Sequence, residues 1–368
     1  MKKEVKVIFH IDLNAFYATV AQINEPYLKN KVFVVGGSPV SGRGVITTAS
    51  YNARRLGITS GMSINEAMRI YPKVIIVPVE FKEYRKYSNI FFEFLDNYSD
   101  KMIRGSIDEA YIDMSEMAKE RNAIEIAKEI QDRLVKEHQL PVSIGIAPTL
   151  FLAKMASDLK KPLGITVVRR RDIVSKILPL PIKDLFGMGI KTYPLMETIG
   201  VERIGDFVLD ENKDKILKII KEDSYYSFLN HILGRSTDVV NPSKYDIPKS
   251  ISNENTLNYP IEDYDLILKE LRIMFKVVHD KLTRSKLLAK TVNIKLRTSE
   301  FDTITRSKSL DDFTNDFDKL NLTMETLFFD NYEDEPLRLI GAGVSNIILA
   351  SDYEEDYNLF TYQKLLEE

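Results

Sequence analysis

The chain has 368 residues, 44% of them hydrophobic, so it can bury two or three cores and disorder is not its default. It contains no cysteine, which excludes disulfide and thiolate–metal chemistry and suits a reducing compartment. The formal net charge of −3 points to no polyanionic partner by itself.

From the N-terminus, "MKKEVKVIFHIDLNAFYATV" is broken by charges, so no signal peptide is expected. Nor does any stretch reach the roughly 18 apolar residues of a membrane span, so a soluble cytoplasmic protein is expected. "VKVIFHID" is an apolar run of strand length ending at Asp12, and "NEPYLKNKVFVVGG" reads as loop, strand and Gly turn. "RGVITTASYNARRLGI" predicts a strand running into a helix, and "SINEAMRIYP" a helix stopped by Pro72. Residues 81–99 read as helix, and "MIRGSIDEAYIDM" as two β-runs with a tight turn near Ser106–Asp108. An amphipathic helix over 119–138, strand "PVSIGIA", a helix over 149–160 and strand "GITVV" follow. Strands alternating with helices predict an α/β sheet over roughly the first 170 residues.

Residues 171–235 read as helical, interrupted by Gly187, Gly189, Gly200 and Gly205, and "STDVVNPSKYDIPKS" as a polar linker. A long basic helix is expected over 262–285, then a hairpin of "AKTVNIKLRTS" and "TITRSKSL", then an acidic tail. Residues 269–308 hold eleven Lys/Arg against four acids, a patch that acidic segments further on hide in the total. A solvated helix face explains such a run; a phosphate-facing surface is the sharper reading.

The carboxylates carry the chemistry. Asp108 and Glu109 are adjacent inside an apolar run, where they repel each other and lose hydration. If the strand ending at Asp12 neighbours that hairpin, three carboxylates meet at one sheet edge. Mg²⁺ suits such a cluster, being a hard ion that prefers carboxylate oxygens and keeps positions for phosphates. Two such ions can activate an attacking oxygen and stabilise the leaving one. Tyr51 and Arg54, spaced i, i+3 on a predicted helix, share a face; Tyr can donate to a phosphate and Arg can fork two of its oxygens.

"HIDLNAFYA" followed about ninety residues later by "SIDEAYID" resembles the catalytic signature of the Y-family DNA polymerases, in their polymerase IV branch. The resemblance continues in order through "YNARRLGITSGM", "SIGIAPTLFLAKMASDLKKPLG", "DLFGMGIKTYPLMETIGVERIGD", "KSISNENTL" and "TVNIKLRTSEFDTITRSKSL". It implies an α+β right-hand polymerase. A ferredoxin-like palm (1–15 and 82–170) would carry small fingers (16–81) and a helix-hairpin-helix thumb (171–238). A linker (239–250) would lead to an α/β little finger (251–349) and a tail (350–368).

The resemblance implies a translesion polymerase that joins a dNTP to a primer on template DNA with low fidelity and processivity, as a monomer. Asp12, Asp108 and Glu109 would hold two Mg²⁺ ions with the Leu13 carbonyl, and Asn14 stands where the family often has a further acid. Phe16 and Tyr17 would contact the nucleotide, Tyr17 at the steric gate against a 2′-hydroxyl. Thr48, Tyr51, Arg54 and Lys161 would meet the triphosphate, while Thr47 and Gly61 would shape the roof over the base pair. Thr149–Leu150 stands where many relatives carry a lysine, so no DNA or phosphate contact is assigned there. Gly187 and Gly189 would grip a DNA phosphate with backbone N–H groups, and Arg297 and Arg306 would contact DNA from the little finger. "DYNLF", with Leu359 and Phe360, resembles a sliding-clamp-binding peptide, although Asp356 replaces its usual Gln. A silent DNA-binding accessory protein of the same fold would need none of the acids, Tyr17 or Lys161, and a palm-like cyclase would need neither thumb nor basic C-terminal domain.

Overall fold

The computed structural model describes residues 6–38, 44–236 and 239–353. It divides into two compact units, one running to Ser243 and one from Lys244. The first unit begins β1 (Ile8–Leu13), α1 (Phe16–Asn24), β2 (Phe33–Gly36), β3 (Ile46–Ala49), α2 (Tyr51–Arg55), α3 (Ile64–Ile70) and β4 (Ile75–Val77). It continues through α4 (Phe81–Leu95), β5 (Met102–Arg104), β6 (Glu109–Asp113), α5 (Met117–Glu120), α6 (Ala123–His138), β7 (Val142–Ala147), α7 (Leu150–Asp158) and β8 (Ile165–Val167). Five short helices follow: α8 (Ile173–Lys176), α9 (Tyr193–Thr198), α10 (Ile204–Phe207), α11 (Lys213–Ile216) and α12 (Glu222–Ile232).

The main sheet runs β5-β6-β1-β7-β8. The alternation of strands and helices suggests parallel βαβ units, yet only β7 and β8 pair in parallel; β1 lies antiparallel to both neighbours. Every residue of β1 is buried because helices cover both faces. Its alternation of sides sorts the residues. Phe9, Ile11 and Leu13 enter one core with Phe91, Ile126 and Ile130 of α4 and α6, while Ile8 enters a second core with Leu152 and Ala156 of α7. Each such side chain contributes roughly 1.5–3 kcal/mol on burial. His10 and Asp12 therefore fall on the α7 side. A small sheet, β3-β2-β4, has its own core of Val34, Ile46, Ala53, Ile64 and Ala67.

Glycine permits the approach of α7. Gly145 pairs with His10 across the ladder, and a Cβ there would collide with the Ala153 carbonyl and the Ser157 amide. Thr149 starts α7 by accepting the Leu152 N–H at 3.2 Å.

The second unit contains β9 (Ser250–Ile261), α13 (Tyr264–Arg284), β10 (Leu287–Thr298), β11 (Thr303–Thr314), α14 (Phe317–Phe329) and β12 (Leu337–Leu349). Its antiparallel sheet, β11-β10-β12-β9, packs Val292, Ile294, Ile340 and Val344 against Leu271, Phe275 and Met324 of the two helices. Among the described residues, no helix is long and apolar enough to cross a membrane.

Candidate active site

Asp12, at the end of β1, is register partner to Glu109, the first residue of β6, and to Ser143 of β7. The Leu13 N–H donates to the Asp108 carbonyl at 2.9 Å. All three acids thus stand at one end of the central strands, though only Asp108 belongs to the turn. Ser106 fixes that turn: its hydroxyl donates to Asp108 Oδ1 at 2.5 Å and accepts the Asp108 N–H at 3.2 Å. Burial pushes the Asp108 carboxyl up, the Ser106 bond opposes this, and the charges of Asp12 and Glu109 add to it.

Two lysines face the cluster. Lys154 Nζ on α7 lies 2.9 Å from Glu109 Oε2, 3.3 Å from Asp12 Oδ2 and 3.7 Å from Asp158 Oδ2. Lys161 Nζ lies 2.7 Å from both Asp12 Oδ1 and Asp158 Oδ1. Burial pulls both ammonium groups down, and the surrounding carboxylates outweigh it, so both end above the usual lysine value.

Sequence reasoning missed His10. It is fully buried, with Nδ1 2.8 Å from Ser157 Oγ and Nε2 3.3 Å from Glu109 Oε2. Its signal was its place two residues before Asp12 in one strand, hence on the same face. Burial lowers the His10 pKa below 6.5, so the ring is neutral near pH 7. Glu109 is held down to about 2, by the imidazole first and Lys154 beside it. The Nε2 contact is too poorly directed for a full hydrogen bond, so we read Lys154 as the firmer hold. Ligand atoms of His10, Asp12 and Glu109 lie within 4.8 Å of one another. Asp108 is the third carboxylate at this edge. Such hard oxygen donors fit Mg²⁺ better than a soft metal.

Tyr17 stands on the first turn of α1 and stacks on the buried Tyr84 ring (centroids 4.1 Å apart, planes at 19°), with Phe81 edge-on at 6.4 Å. Phe16 is 3% exposed and its side chain belongs to the core. Asn14 explains its own departure from an acid. Its amide donates to Ser143 Oγ at 2.9 Å and accepts the Leu163 N–H at 2.8 Å, which a carboxylate could not do at once. The Lys161–Leu163 loop is thereby tied to β1.

Tyr51 and Arg54 do share a face of α2, the guanidinium lying 5.1 Å from the ring centre. Both line a cavity of about 620 Å³ together with Lys161. Burial raises the Tyr51 hydroxyl pKa, with Arg54 opposing, and that hydroxyl is buried without a hydrogen-bond partner among the described residues. Thr47 and Thr48 lie in β3, and Gly61 in the exposed turn before α3.

Gly187 (φ 89°) and Gly189 are exposed in the turn leading to α9, and the Gly189 carbonyl accepts the Thr192 and Tyr193 N–H groups. In the second unit, Arg297 pairs with Thr303 across the β10–β11 ladder, whereas Arg306 opposes Ile294. The two arginines therefore face opposite sides of the sheet; Arg306 donates to Asn331 Oδ1 at 2.9 Å, beside the helices. On α13, Arg272 is taken by Glu325 at 2.7 Å and Lys276 by Asp280 at 2.9 Å, so part of the basic run is a paired helix face. Leu359 and Phe360 lie outside the described residues.

The impB/mucB/samB family profile matches residues 11–158, and the profile of that family's C-terminal domain matches residues 248–358. DNA polymerase IV 1 of Bacillus subtilis (strain 168) is 36% identical over 365 residues, 99% of this chain and 87% of that protein. DNA polymerase IV of Listeria innocua is 34% identical over 342 residues, 92% and 95% of the two chains. Among solved structures, a Y-family DNA polymerase chimera of Dbh and Dpo4 superposes with a TM-score of 0.82 at 26% identity. An insertion ternary complex of Dbh DNA polymerase gives 0.69 at 25%; each covers 93% of this chain and 99% of the other.

Proposed function

The chain belongs to the impB/mucB/samB family of Y-family DNA polymerases and is a translesion DNA polymerase, and we propose that Asp12, Asp108 and Glu109 are its catalytic centre. The observation that carries this is the register of β1 and β6, which sets Asp12 opposite Glu109 and beside Asp108. The reaction joins a dNTP to a primer 3′-hydroxyl on template DNA. Low processivity and low fidelity belong to the same proposal, as does a cytoplasmic monomer.

The three acids and the Leu13 carbonyl would hold Mg²⁺, two ions per site, which would supply charge to the phosphates and activate the primer hydroxyl. The remaining work belongs to the chain's own side chains. Tyr51 donates to, and Arg54 forks, the phosphate oxygens, and Lys161 bridges from Asp12 to the cavity that receives them. Thr48, at the strand end leading into α2, adds a hydroxyl on the same path. Tyr17, held flat against Tyr84, leaves no space for a 2′-hydroxyl. Phosphoryl transfer needs such positioning more than covalent chemistry.

In this reading residues 1–15 and 82–170 are the palm, 16–81 the fingers, 171–238 the thumb and 251–349 the little finger. Gly187 and Gly189 hold DNA backbone, Arg297 faces DNA from the open side of its sheet, and Leu359 and Phe360 dock on a sliding clamp. Primer extension with Mg²⁺ and single dNTPs tests the centre. Asp108→Ala is expected to lower extension about a thousandfold while DNA binding persists; extension near the parent rate would remove the assignment.

A further inference from the structure

The cavity that takes in Tyr51, Arg54 and Lys161 does not end with them. It continues to Lys31 and Asn30, in the loop before β2, and to Asn52 and Arg55 on α2. Four of its lining residues are cationic and none is acidic. Lys161 is paired with Asp12 and Asp158, whereas Lys31, Arg54 and Arg55 make no ion pair among the described residues. A concave wall of one charge sign draws in anions.

These cations are held in place. Ser50 Oγ accepts the N–H groups of Phe33 and Ala53, each at 3.2 Å, and its O–H points to the Lys31 carbonyl at 3.3 Å. One buried hydroxyl thus fastens the Lys31 loop to the start of α2. Arg54 spends Nε on the Ala49 carbonyl at 3.0 Å, which orients its guanidinium fork. Arg55 NH1 donates to Asn52 Oδ1 at 3.0 Å. The Tyr51 hydroxyl, buried with no partner, is a donor that a phosphate oxygen satisfies.

We propose that Lys31 and Arg55, with Asn30 and Asn52, form a diphosphate site through which the pyrophosphate product leaves. This rests on the polymerase reading above. When the bond from the primer 3′-oxygen to the α-phosphorus forms, the hydroxyl proton passes to solvent water and the bond from that phosphorus to the bridging oxygen breaks. Both remaining phosphates leave together, carrying the electron pair on the bridging oxygen. The product keeps its contacts to Tyr51, Arg54 and Lys161, and a highly charged ion departs slowly from three donors at once. Exposed Lys31 and Arg55 offer the next cations outward, solvated enough to release what they catch.

Inorganic pyrophosphate is the probe, used as a product inhibitor of single-dNTP primer extension by the full chain. In the Lys31→Gln, Arg55→Gln double variant its inhibition constant is expected to rise about tenfold, with the dNTP KM moving by less than about twofold. Lys29→Gln, exposed nearby and outside the cavity, is expected to move neither. An unchanged inhibition constant overturns the proposal. A parallel rise in KM overturns it too, because the two residues then belong to the nucleotide's own subsite. Calorimetric titration of pyrophosphate into both proteins reads the cavity without catalysis; equal affinity overturns the proposal. Failure of the parent chain to extend primers would instead sink the polymerase reading, a different result from any of these.

Discussion

At the scale of single residues, the site depends on rings and charges pinned by partners far away in sequence. The gate proposed at Tyr17 requires a ring that cannot swing aside, and Tyr84, 1% exposed, backs it face to face. Tyr17→Ala is expected to admit ribonucleotides, raising their incorporation relative to deoxynucleotides by about a hundredfold or more; single-nucleotide kinetics check this, and unchanged sugar selectivity would refute the gate. His10 makes a separate prediction about pH. Burial lowers its pKa from 6.5 in the fold, so below that value the unfolded chain binds the proton first. Its stabilising contribution is therefore complete above pH 6.5 and is lost as pH falls toward the folded value. Glu109, lowered from 4.5 to about 2, acts in the same direction over that more acidic window. In metal-free buffer, Tm is expected to fall from about pH 7.5 to about pH 5, and less steeply in His10→Gln. Parallel curves would show that His10 titrates alike folded and unfolded. The adjacent acids were legible because two carboxylates inside an apolar run demand compensation. Ser157 and Tyr84 were not, because their roles arise from contacts that only the folded chain makes, as between His10 and Ser157, 147 positions apart.

At the scale of elements, α7 and β7 form the working joint. Lys154 and Ser157 reach Glu109 and His10 only because Gly145 lets α7 lie directly on the sheet. Gly145→Ala is expected to cost about 1–3 kcal/mol, read as a lower Tm, because the new methyl meets backbone atoms that cannot turn away. A melting temperature equal to the parent's would mean that α7 has room to retreat. The same physics separates what the chain's pattern revealed from what it hid. Buried runs such as "VKVIFHID" and "PVSIGIA" became β1 and β7, and the long basic stretch over 262–285 became α13. The region 171–235 reads as helix broken by glycines into short pieces, and α8, α10 and α11 are four residues each; their exact bounds follow from apolar residues packing inward at angles that local periodicity does not encode. β9 was invisible as a strand: "SISNENTLNYPI" is mostly polar and exposed, and pairing with β12 defines it.

At the scale of the whole molecule, charge distribution limits how firmly the protein can hold DNA. Net charge is −3, and part of the basic run is neutralised by Glu325 and Asp280 on the helices. What remains on the open side of the β10 sheet includes Arg297 and Lys295, the latter already 2.7 Å from Glu254. Each cation so paired is one fewer to release counterions from DNA, which weakens the grip. A polymerase with such a grip gains most from being tethered, since a tether replaces repeated encounters with a high local concentration. The segment "DYNLF" is suited to that part, with Leu359 and Phe360 as two apolar anchors in an acidic tail. Deleting residues 356–368 is expected to abolish the stimulation of primer extension by a sliding clamp, a loss of about tenfold or more in product length or rate. Basal extension without the clamp should stay as it was, because the acids, Tyr17 and the residues proposed to bind phosphate all lie in the first unit. Clamp stimulation surviving the deletion would place the docking element elsewhere on the chain. A fall in basal extension would give the tail a part in synthesis itself.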